Sequence, residues 1–153
     1  MKILILEDDP DQARHLAREL HADLSAVETD TIATEYDFRQ SLDGLVASPP
    51  DVVIIDLMLP WTRPVPGPLP TLPTGPEMSD APGIRCARLL HDRLPSVPVI
   101  IHSVDGQEEV SGNPSRATWW VPKTYDSVHL VAMVRELTSR RHELGQAPPH
   151  SAG

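Results

Sequence analysis

Apolar residues in this chain follow two patterns that alternate from the first residues to about residue 144. Short uninterrupted apolar runs predict strands that are covered on both faces, as strands of a parallel sheet usually are. Longer stretches with an apolar residue every three or four positions predict helices with one buried side. The predicted strands cover residues 2–6, 26–29, 51–57, 97–101 and 118–121, of which 26–29 is the weakest.

Helices are predicted between these strands and after the last one. Asp9 is an N-cap candidate before Pro10, Thr34 is the cap candidate of the second helix, and Asp126 or Ser127 precedes a last helix over 127–144. The expected core-facing stripes are Ala13, Leu16, Ala17 and Leu20; Phe38, Leu42, Leu45 and Val46; Ile84, Ala87, Leu90 and Leu94; and Val128, Val131, Val134 and Leu137. Two glycines and a proline weaken the helix expected between residues 105 and 117.

Strands that alternate with helices imply a doubly wound α/β sheet with right-handed crossovers. Ligands of such sheets bind beyond the carboxyl ends of the strands, so the polar residues found there matter most. We expect them to converge on one edge of the sheet. They are Glu7, Asp8 and Asp9 after the first strand, Asp56 after the third, Ser103 at the end of the fourth and Lys123 after the fifth.

Several carboxylates in one pocket repel one another, by about 4 kcal/mol per pair at about 4 Å and an effective dielectric near 20. Positive charge must offset this repulsion. Mg²⁺ (or Mn²⁺) suits one or two carboxylates together with a carbonyl and waters, and leaves room for a phosphate oxygen. Lys123 supplies a second positive charge, and Ser103 supplies a hydroxyl donor.

Each of these residues also has a plain interpretation. Glu7, Asp8 and Asp9 are typical of a helix N-terminus, and Lys123 is typical of an exposed surface. His102 is more typical of a packed histidine than of a ligand. Trp119 and Trp120 should point to opposite faces of a strand, one into the core and the other towards the surface or an interface. Cys86 is expected to be a buried helix residue.

Composition excludes several classes of function. The 153 residues fit one domain, and the net charge of −9 argues against a nucleic-acid surface. One cysteine cannot form an internal disulfide, the N-terminus does not have the pattern of a signal peptide, and no apolar run is long enough to span a bilayer. We therefore expect a cytoplasmic protein that binds neither nucleic acid nor membrane.

A proline-rich stretch at residues 61–82 interrupts the pattern directly after the third strand. Its closely spaced prolines exclude a helix or a paired strand and favour extended polyproline II structure. The stretch leaves from the Asp56 edge, so it is predicted to act as a lid, as an arm that docks a partner, or as a solvated loop without a specific role. The polar segment 145–153 is expected to be a disordered tail.

The ordered set of motifs resembles the receiver domains of two-component response regulators. The matching stretches are ILILEDDP, PDVVIIDLMLP, PVIIHS and WVPK, in the order and roughly the spacing of that family. The resemblance covers residues 1–144 apart from the insertion, and it implies a flavodoxin-like, five-stranded parallel sheet of order 2-1-3-4-5. It further implies that Asp56 is the phosphoacceptor, and that Glu7, Asp8, Asp56 and the backbone carbonyl of Met58 bind the metal ion.

The same resemblance implies the remaining roles. Ser103 stands at the hydroxyl position of the switch, Trp120 at its aromatic position, and Lys123 at the basic position of the family pattern. The implied function is that of a stand-alone receiver rather than an enzyme. It would accept a phosphoryl group from a histidine kinase or phosphotransfer protein and would switch contact with a downstream protein. The last helix and fifth strand could also form a homodimer contact.

Two other functions remain open at this point. Val104, Trp120 and Thr124 depart from the family pattern, as does the weakened helix after the fourth strand, and together they suggest a degenerate receiver that acts as a phosphorylation-independent interaction module. The second is an aspartate-nucleophile phosphatase. That class needs a second carboxylate two residues after the nucleophile, and Met58 at this position argues against it.

Overall fold

The computed structural model describes residues 1–64, 66–75, 78, 80–104, 118–123 and 127–145, with side chains up to residue 139. Within them, nine elements follow the order β1 Lys2–Leu6, α1 Pro10–Asp23, β2 Glu28–Ile32, α2 Glu35–Ala47, β3 Val52–Ile55, α3 Pro82–Arg93, β4 Val99–Ser103, β5 Thr118–Pro122 and α4 Val128–Gly145. The strands form one sheet of order β2-β1-β3-β4-β5, in which every pairing is parallel. The predicted doubly wound fold is confirmed.

Two hydrophobic clusters cover the two faces of the sheet, because successive residues of a strand point to opposite sides. On β1, Leu4 and Leu6 belong to the cluster that includes residues of α2 and α3. Ile3 and Ile5 belong to the cluster that includes residues of α1 and α4. The central strands are therefore covered on both faces, as their uninterrupted apolar runs predict.

The predicted helix caps form in the first two helices. The Asp9 carboxylate accepts hydrogen bonds from the backbone N–H groups of Asp11 and Gln12, at 2.8 and 3.2 Å. The Thr34 hydroxyl accepts one from Asp37 N–H at 3.0 Å. Both arrangements satisfy amide groups that have no partner within the helix.

Several details of the sequence prediction are wrong. β2 begins at Glu28 rather than at residue 26, because Ala26 has a positive φ of 53° that interrupts an extended strand. β4 begins after Pro98, later than predicted. Val46 and Val128 are 39% and 60% exposed, so neither belongs to a buried stripe.

The two tryptophans of β5 also differ from expectation. Trp119 and Trp120 lie on opposite faces of the strand, as predicted, but both are partly buried and each packs against one of the two core clusters. Neither is a fully exposed surface residue, because a core cluster covers part of each face of β5 even though it is an edge strand. Cys86 is fully buried in α3, as expected, and burial raises the pKa of its thiol.

A buried ion pair joins the start of α2 to α3. Glu35 is fully buried, and its carboxylate accepts hydrogen bonds from the Arg85 guanidinium, one of them at 3.0 Å, and from Arg39 at 2.8 Å. Burial alone would raise the pKa of Glu35, but the hydrogen bonds from Arg85 and then Arg39 outweigh that effect and lower it. Arg85 also donates to the carbonyl of Asp80, which fixes the end of the proline-rich insertion.

Gly83 allows the first turn of α3 to lie directly against the residue that follows β3. A Cβ atom at this position would lie 2.3 Å from the Asp56 carbonyl oxygen and 2.8 Å from the Leu57 Cα. Both neighbours are backbone atoms, so neither can rotate away. The Gly83 N–H donates to the Leu57 carbonyl at 2.9 Å, and this bond holds α3 at that distance.

Before Pro82, where α3 begins, the described residues of the insertion form no α-helix and no strand, and the insertion is fixed at its start. The carbonyls of Pro60 and Trp61 accept hydrogen bonds from the N–H groups of Glu35 and Tyr36, both at 3.0 Å. Gly67 has a φ of 114°, so a continuous polyproline II helix cannot pass through it.

Some predictions concern residues outside the described ranges. These are the weakened helix between the fourth and fifth strands, the role of Thr124, the cap candidate Asp126 and most of the predicted disordered tail 145–153. Gly145 itself is the last residue of α4, so the prediction that the tail begins there is wrong. None of the described helices is long and apolar enough to cross a membrane.

Gly83→Ala should destabilise the fold by at least about 1–3 kcal/mol, because the added methyl group has no space against the backbone after β3. Urea denaturation measures the free energy of unfolding. Gly44→Ala is the matched control: it lies in the middle of α2 with nothing within 4 Å of an added Cβ, so it should stabilise by about 0.5–1 kcal/mol. Equal changes in the two variants would contradict the packing argument.

Arg85→Met should lower the free energy of unfolding by about 3 kcal/mol at neutral pH, because it leaves the buried Glu35 carboxylate with Arg39 as its remaining partner. Arg88→Met is the control on the same helix as Arg85. It removes an exposed ion pair with Asp80 and should lower the free energy of unfolding by less than about 1 kcal/mol.

The loss of unfolding free energy in Arg85→Met should also depend on pH. The pKa of Glu35 in the folded wild type lies below its ordinary value of 4.5, so the stability it contributes is present above that pH and is lost as the pH falls further. The difference between wild type and variant should therefore narrow on acidification. A deficit that stays constant from neutral pH to below 4.5 would exclude the ion pair as its cause.

Candidate functional site

Two buried carboxylates stand side by side where β1 and β3 end. Glu7 directly follows Leu6 of β1, and its N–H donates to the Ile32 carbonyl at 3.0 Å. Asp56 directly follows Ile55 of β3, and its N–H donates to the Leu6 carbonyl at 2.8 Å. The backbone bonding of the sheet thus continues one residue beyond the strands and fixes both residues.

Lys123 lies between these carboxylates. Its Nζ is 2.7 Å from Glu7 Oε2 and 3.1 Å from Asp56 Oδ2, and the side chain is only 12% exposed. The Lys123 N–H donates to the Ser103 carbonyl at 2.9 Å, which ties the residue after β5 to the end of β4. The alternative of an exposed surface lysine is therefore wrong.

Burial and charge act in opposite directions on this cluster. Burial raises the pKa of Glu7, and the hydrogen bond from Lys123 offsets that rise only in part. Burial lowers the pKa of Lys123, but the hydrogen bond and negative charge of Glu7, and then Asp56, outweigh it, so that its pKa is raised. Lys123 consequently keeps its positive charge at neutral pH.

The first two residues after β1 and the residue after β3 also form a group of oxygen ligands. Carboxylate oxygens of Glu7, Asp8 and Asp56 all lie within 4.8 Å of one another. Glu7 and Asp56 are buried, whereas Asp8 is exposed, so the group is open on the Asp8 side. The Asp9 carboxylate caps α1 instead, so the plain interpretation as a residue of a helix N-terminus is correct for Asp9. Three carboxylate oxygens at this spacing fit Mg²⁺ or Mn²⁺, which prefer such ligands.

The other residues singled out from the sequence lie on β4, on β5 or shortly after β3. Ser103 is buried at the end of β4, two positions beyond Ile101, and its neighbour Val104 is 77% exposed. Met58 is 55% exposed, two residues after Asp56. Trp120 is partly buried against the cluster that includes residues of α2 and α3.

A cavity of about 440 Å³ lies beside the lysine, between α1 and the start of α4. His102, His15 and Ser127 line it together with Glu7 and Lys123. Burial, followed by the charge of Lys123, lowers the pKa of His102 to about 4. The imidazole is therefore neutral at physiological pH, as a packed histidine would be.

Sequence reasoning missed two features of this site. Gly83 lies 27 positions after Asp56, and the sequence does not indicate that the two residues are in contact. Its one sequence signal is its place after Pro82 at the start of a helix. Thr62 and Arg63 line a second cavity of about 440 Å³ whose wall includes Glu7 and Asp8. The proline-rich character of residues 61–82 indicated an extended loop but not which of its side chains face the carboxylates.

Sequence comparison relates this chain to response regulators. The chain is 29% identical over 159 residues to the DNA-binding dual master transcriptional regulator RpaA of Synechocystis sp., covering 98% of this chain and 54% of RpaA. It is 28% identical over 140 residues to the response regulator ArlR of Staphylococcus aureus, covering 92% of this chain and 53% of ArlR. The chain thus spans about half the length of the curated relatives it matches. No family model matches it.

Structure comparison relates the fold to receiver domains. The receiver domain of a signal transduction histidine kinase from Syntrophus aciditrophicus matches with a TM-score of 0.64 and 25% identity, over 99% of this chain and 96% of that one. The response regulator TrrA of Thermotoga maritima, in complex with Mg²⁺ and BeF, matches with a TM-score of 0.64 and 20% identity, over 89% and 97%. The latter match concerns the fold alone. Together with the strand order and the motifs at the strand ends, these similarities support a response-regulator receiver domain.

Proposed function

We propose that this receiver domain accepts a phosphoryl group on Asp56 from a histidine kinase or a phosphotransfer protein. The observation that carries the proposal is the contact of Lys123 with both Glu7 and Asp56 beside the exposed carboxylate of Asp8. A buried carboxylate with a fixed ammonium group on one side and an opening on the other can receive an anion without first reorganising the site.

The metal ion in this proposal is Mg²⁺ or Mn²⁺. Glu7, Asp8 and Asp56 would hold it, together with the backbone carbonyl of Met58. The spacing of the three carboxylates supports this assignment, and so does the Mg²⁺–BeF complex of the structurally similar TrrA. When bound, the ion neutralises negative charge on the phosphoryl oxygens.

Besides the metal ion, the transfer uses the residues at the strand ends. An oxygen of the Asp56 carboxylate attacks phosphorus, and the bond from phosphorus to the donor nitrogen or oxygen breaks, with its electron pair staying on the donor. The Lys123 ammonium, already 3.1 Å from Asp56 Oδ2, then pairs with a phosphoryl oxygen. The Ser103 hydroxyl donates a hydrogen bond to another.

Signalling would follow from rearrangement around the phosphoryl group. Ser103 at the end of β4 and Trp120 on β5 are the switch residues in this proposal, and the altered surface would contact a downstream protein or a second copy of the chain. Such a domain transfers a phosphoryl group to itself and has no substrate to release. Its role is therefore signalling rather than enzymatic turnover.

A phosphorylation-independent interaction module is the second candidate. Trp120 packs against the core with its large indole group, which favours a fixed aromatic position over one that swings between two states. Phosphoryl uptake distinguishes the two functions, because the second requires none.

Asp56→Asn should abolish phosphoryl incorporation from acetyl phosphate and Mg²⁺, because the amide has no free carboxylate oxygen to form the acyl phosphate. Intact mass spectrometry detects the added group. Asp43→Asn, which changes a 91%-exposed carboxylate on α2, should be labelled like the wild type. Equal labelling of the Asp56 variant would exclude Asp56 as the acceptor, and an unlabelled wild type would favour the interaction module.

Asp8→Asn should weaken Mg²⁺ binding at least about tenfold, because the exposed ligand loses its charge while Glu7 and Asp56 remain in place. Tryptophan fluorescence during Mg²⁺ titration reports binding, since Trp61 lies five residues after Asp56. Asp11→Asn, an exposed carboxylate in the first turn of α1, serves as the control. Unchanged affinity in the Asp8 variant would remove Asp8 from the ligand set.

A further inference from the structure

The cavity on the Asp8 side of the site brings the insertion next to the carboxylates. Its volume is about 440 Å³, and Glu7, Asp8, Thr62 and Arg63 all line it. It is distinct from the cavity beside Lys123, since the two share Glu7 and no other lining residue. A donor that approaches past the exposed Asp8 carboxylate, which lies within 4.8 Å of the Asp56 carboxylate, would therefore meet residues of the insertion.

The position of Arg63 follows from contacts of the two residues at the start of the insertion. The N–H groups of Glu35 and Tyr36 donate to the carbonyls of Pro60 and Trp61, both at 3.0 Å. The Trp61 indole packs edge-on against the Tyr36 ring, with centroids 5.7 Å apart, and donates its N–H to the Pro70 carbonyl at 3.0 Å. Arg63 is only two residues beyond this fixed point, so the chain holds it near the rim of the cavity.

Arg63 differs from the other arginines near the insertion in its ion pairing. Arg39 and Arg85 bind Glu35, and Arg88 binds Asp80. Among the described residues, Arg63 is exposed and forms no ion pair within 4.0 Å. Its guanidinium group is thus available to a ligand, on a cavity wall that is otherwise acidic or uncharged.

An anionic donor would meet repulsion at this edge. The chain carries a net charge of −9, and Glu7 and Asp8 line the cavity beside Arg63. A guanidinium group presents two parallel donors that match two oxygens of a phosphoryl group, whereas an ammonium group acts as a point charge. One arginine beside the entrance would offset the repulsion and orient the phosphoryl group.

We propose that Arg63, assisted by the Thr62 hydroxyl, is a positioning residue that binds the anionic phosphoryl group of the donor before transfer. This assignment rests on the proposed function of Asp56 as acceptor. It gives the first residues of the insertion a specific role, in place of that of a solvated loop. Arg63 acts on the encounter with the donor and leaves the chemistry to the residues at the strand ends.

The test compares the donor dependence of phosphoryl uptake in Arg63→Gln, Arg63→Lys and wild type at saturating Mg²⁺ and low salt. Arg63→Gln should raise the half-saturating concentration of acetyl phosphate about three- to tenfold and leave the maximal rate within about twofold. Arg63→Lys should recover part of the loss. Added salt should narrow the difference, because it screens an exposed charge.

Phosphoramidate serves as a second donor, because its phosphorus–nitrogen bond resembles that of phosphohistidine. Its lower negative charge should make it less sensitive to Arg63→Gln than acetyl phosphate is. Arg93→Gln, which removes an exposed arginine at the far end of α3, should behave as wild type with both donors. Mg²⁺ affinity, measured by tryptophan fluorescence, should not change in Arg63→Gln.

Two results would overturn the assignment while leaving Asp56 as the acceptor. One is an unchanged half-saturating concentration in Arg63→Gln when the wild type is labelled. The other is faster uptake with tighter Mg²⁺ binding in that variant, which would mean that Arg63 pairs with Asp8 and competes with the metal ion. A wild type that takes up no phosphoryl group would instead overturn the proposed function, and this assignment with it.

Discussion

The contact of one lysine with two buried carboxylates is the interaction on which the site depends. Glu7 and Asp56 are 5% and 9% exposed, and burying two carboxylates close together without a positive partner costs several kcal/mol. Lys123 supplies that partner from the far side of β4, which the strand order β2-β1-β3-β4-β5 makes possible. The parallel sheet is therefore what brings the three charges together, since all its strands end at the same edge.

The two sides of Asp56 have different physical properties. Behind it, the absence of a side chain at Gly83 lets α3 lie against its backbone carbonyl, and the sheet bonding from Asp56 N–H to Leu6 fixes its position. Beside it, the Asp8 carboxylate is exposed and lines a cavity that the first residues of the insertion also line. The Asp56 backbone is therefore fixed, while the carboxylate group next to its side chain is accessible. This combination suits a residue that stays in position while the group bound to its side chain changes.

Most of the fold could be predicted from the sequence, because uninterrupted apolar runs and helical stripes report burial directly. The exceptions have local causes, such as the positive φ of Ala26 before β2. The convergence of Glu7, Asp56 and Lys123 was predictable because strand ends share an edge. The roles of Gly83 and Glu35 were not, since close backbone packing and a buried ion pair between helices depend on contacts between residues distant along the chain.

Both ends of the proline-rich insertion are attached to the same helix. Pro60 and Trp61 accept hydrogen bonds from the first residues of α2, and Arg85 at the other end binds Glu35 in the same turn. The chain between these attachments closes a loop whose entropic cost grows only slowly with length. Evolution could therefore lengthen, shorten or rewrite that loop while the sheet stayed intact, which makes it a place where related domains can acquire different partners.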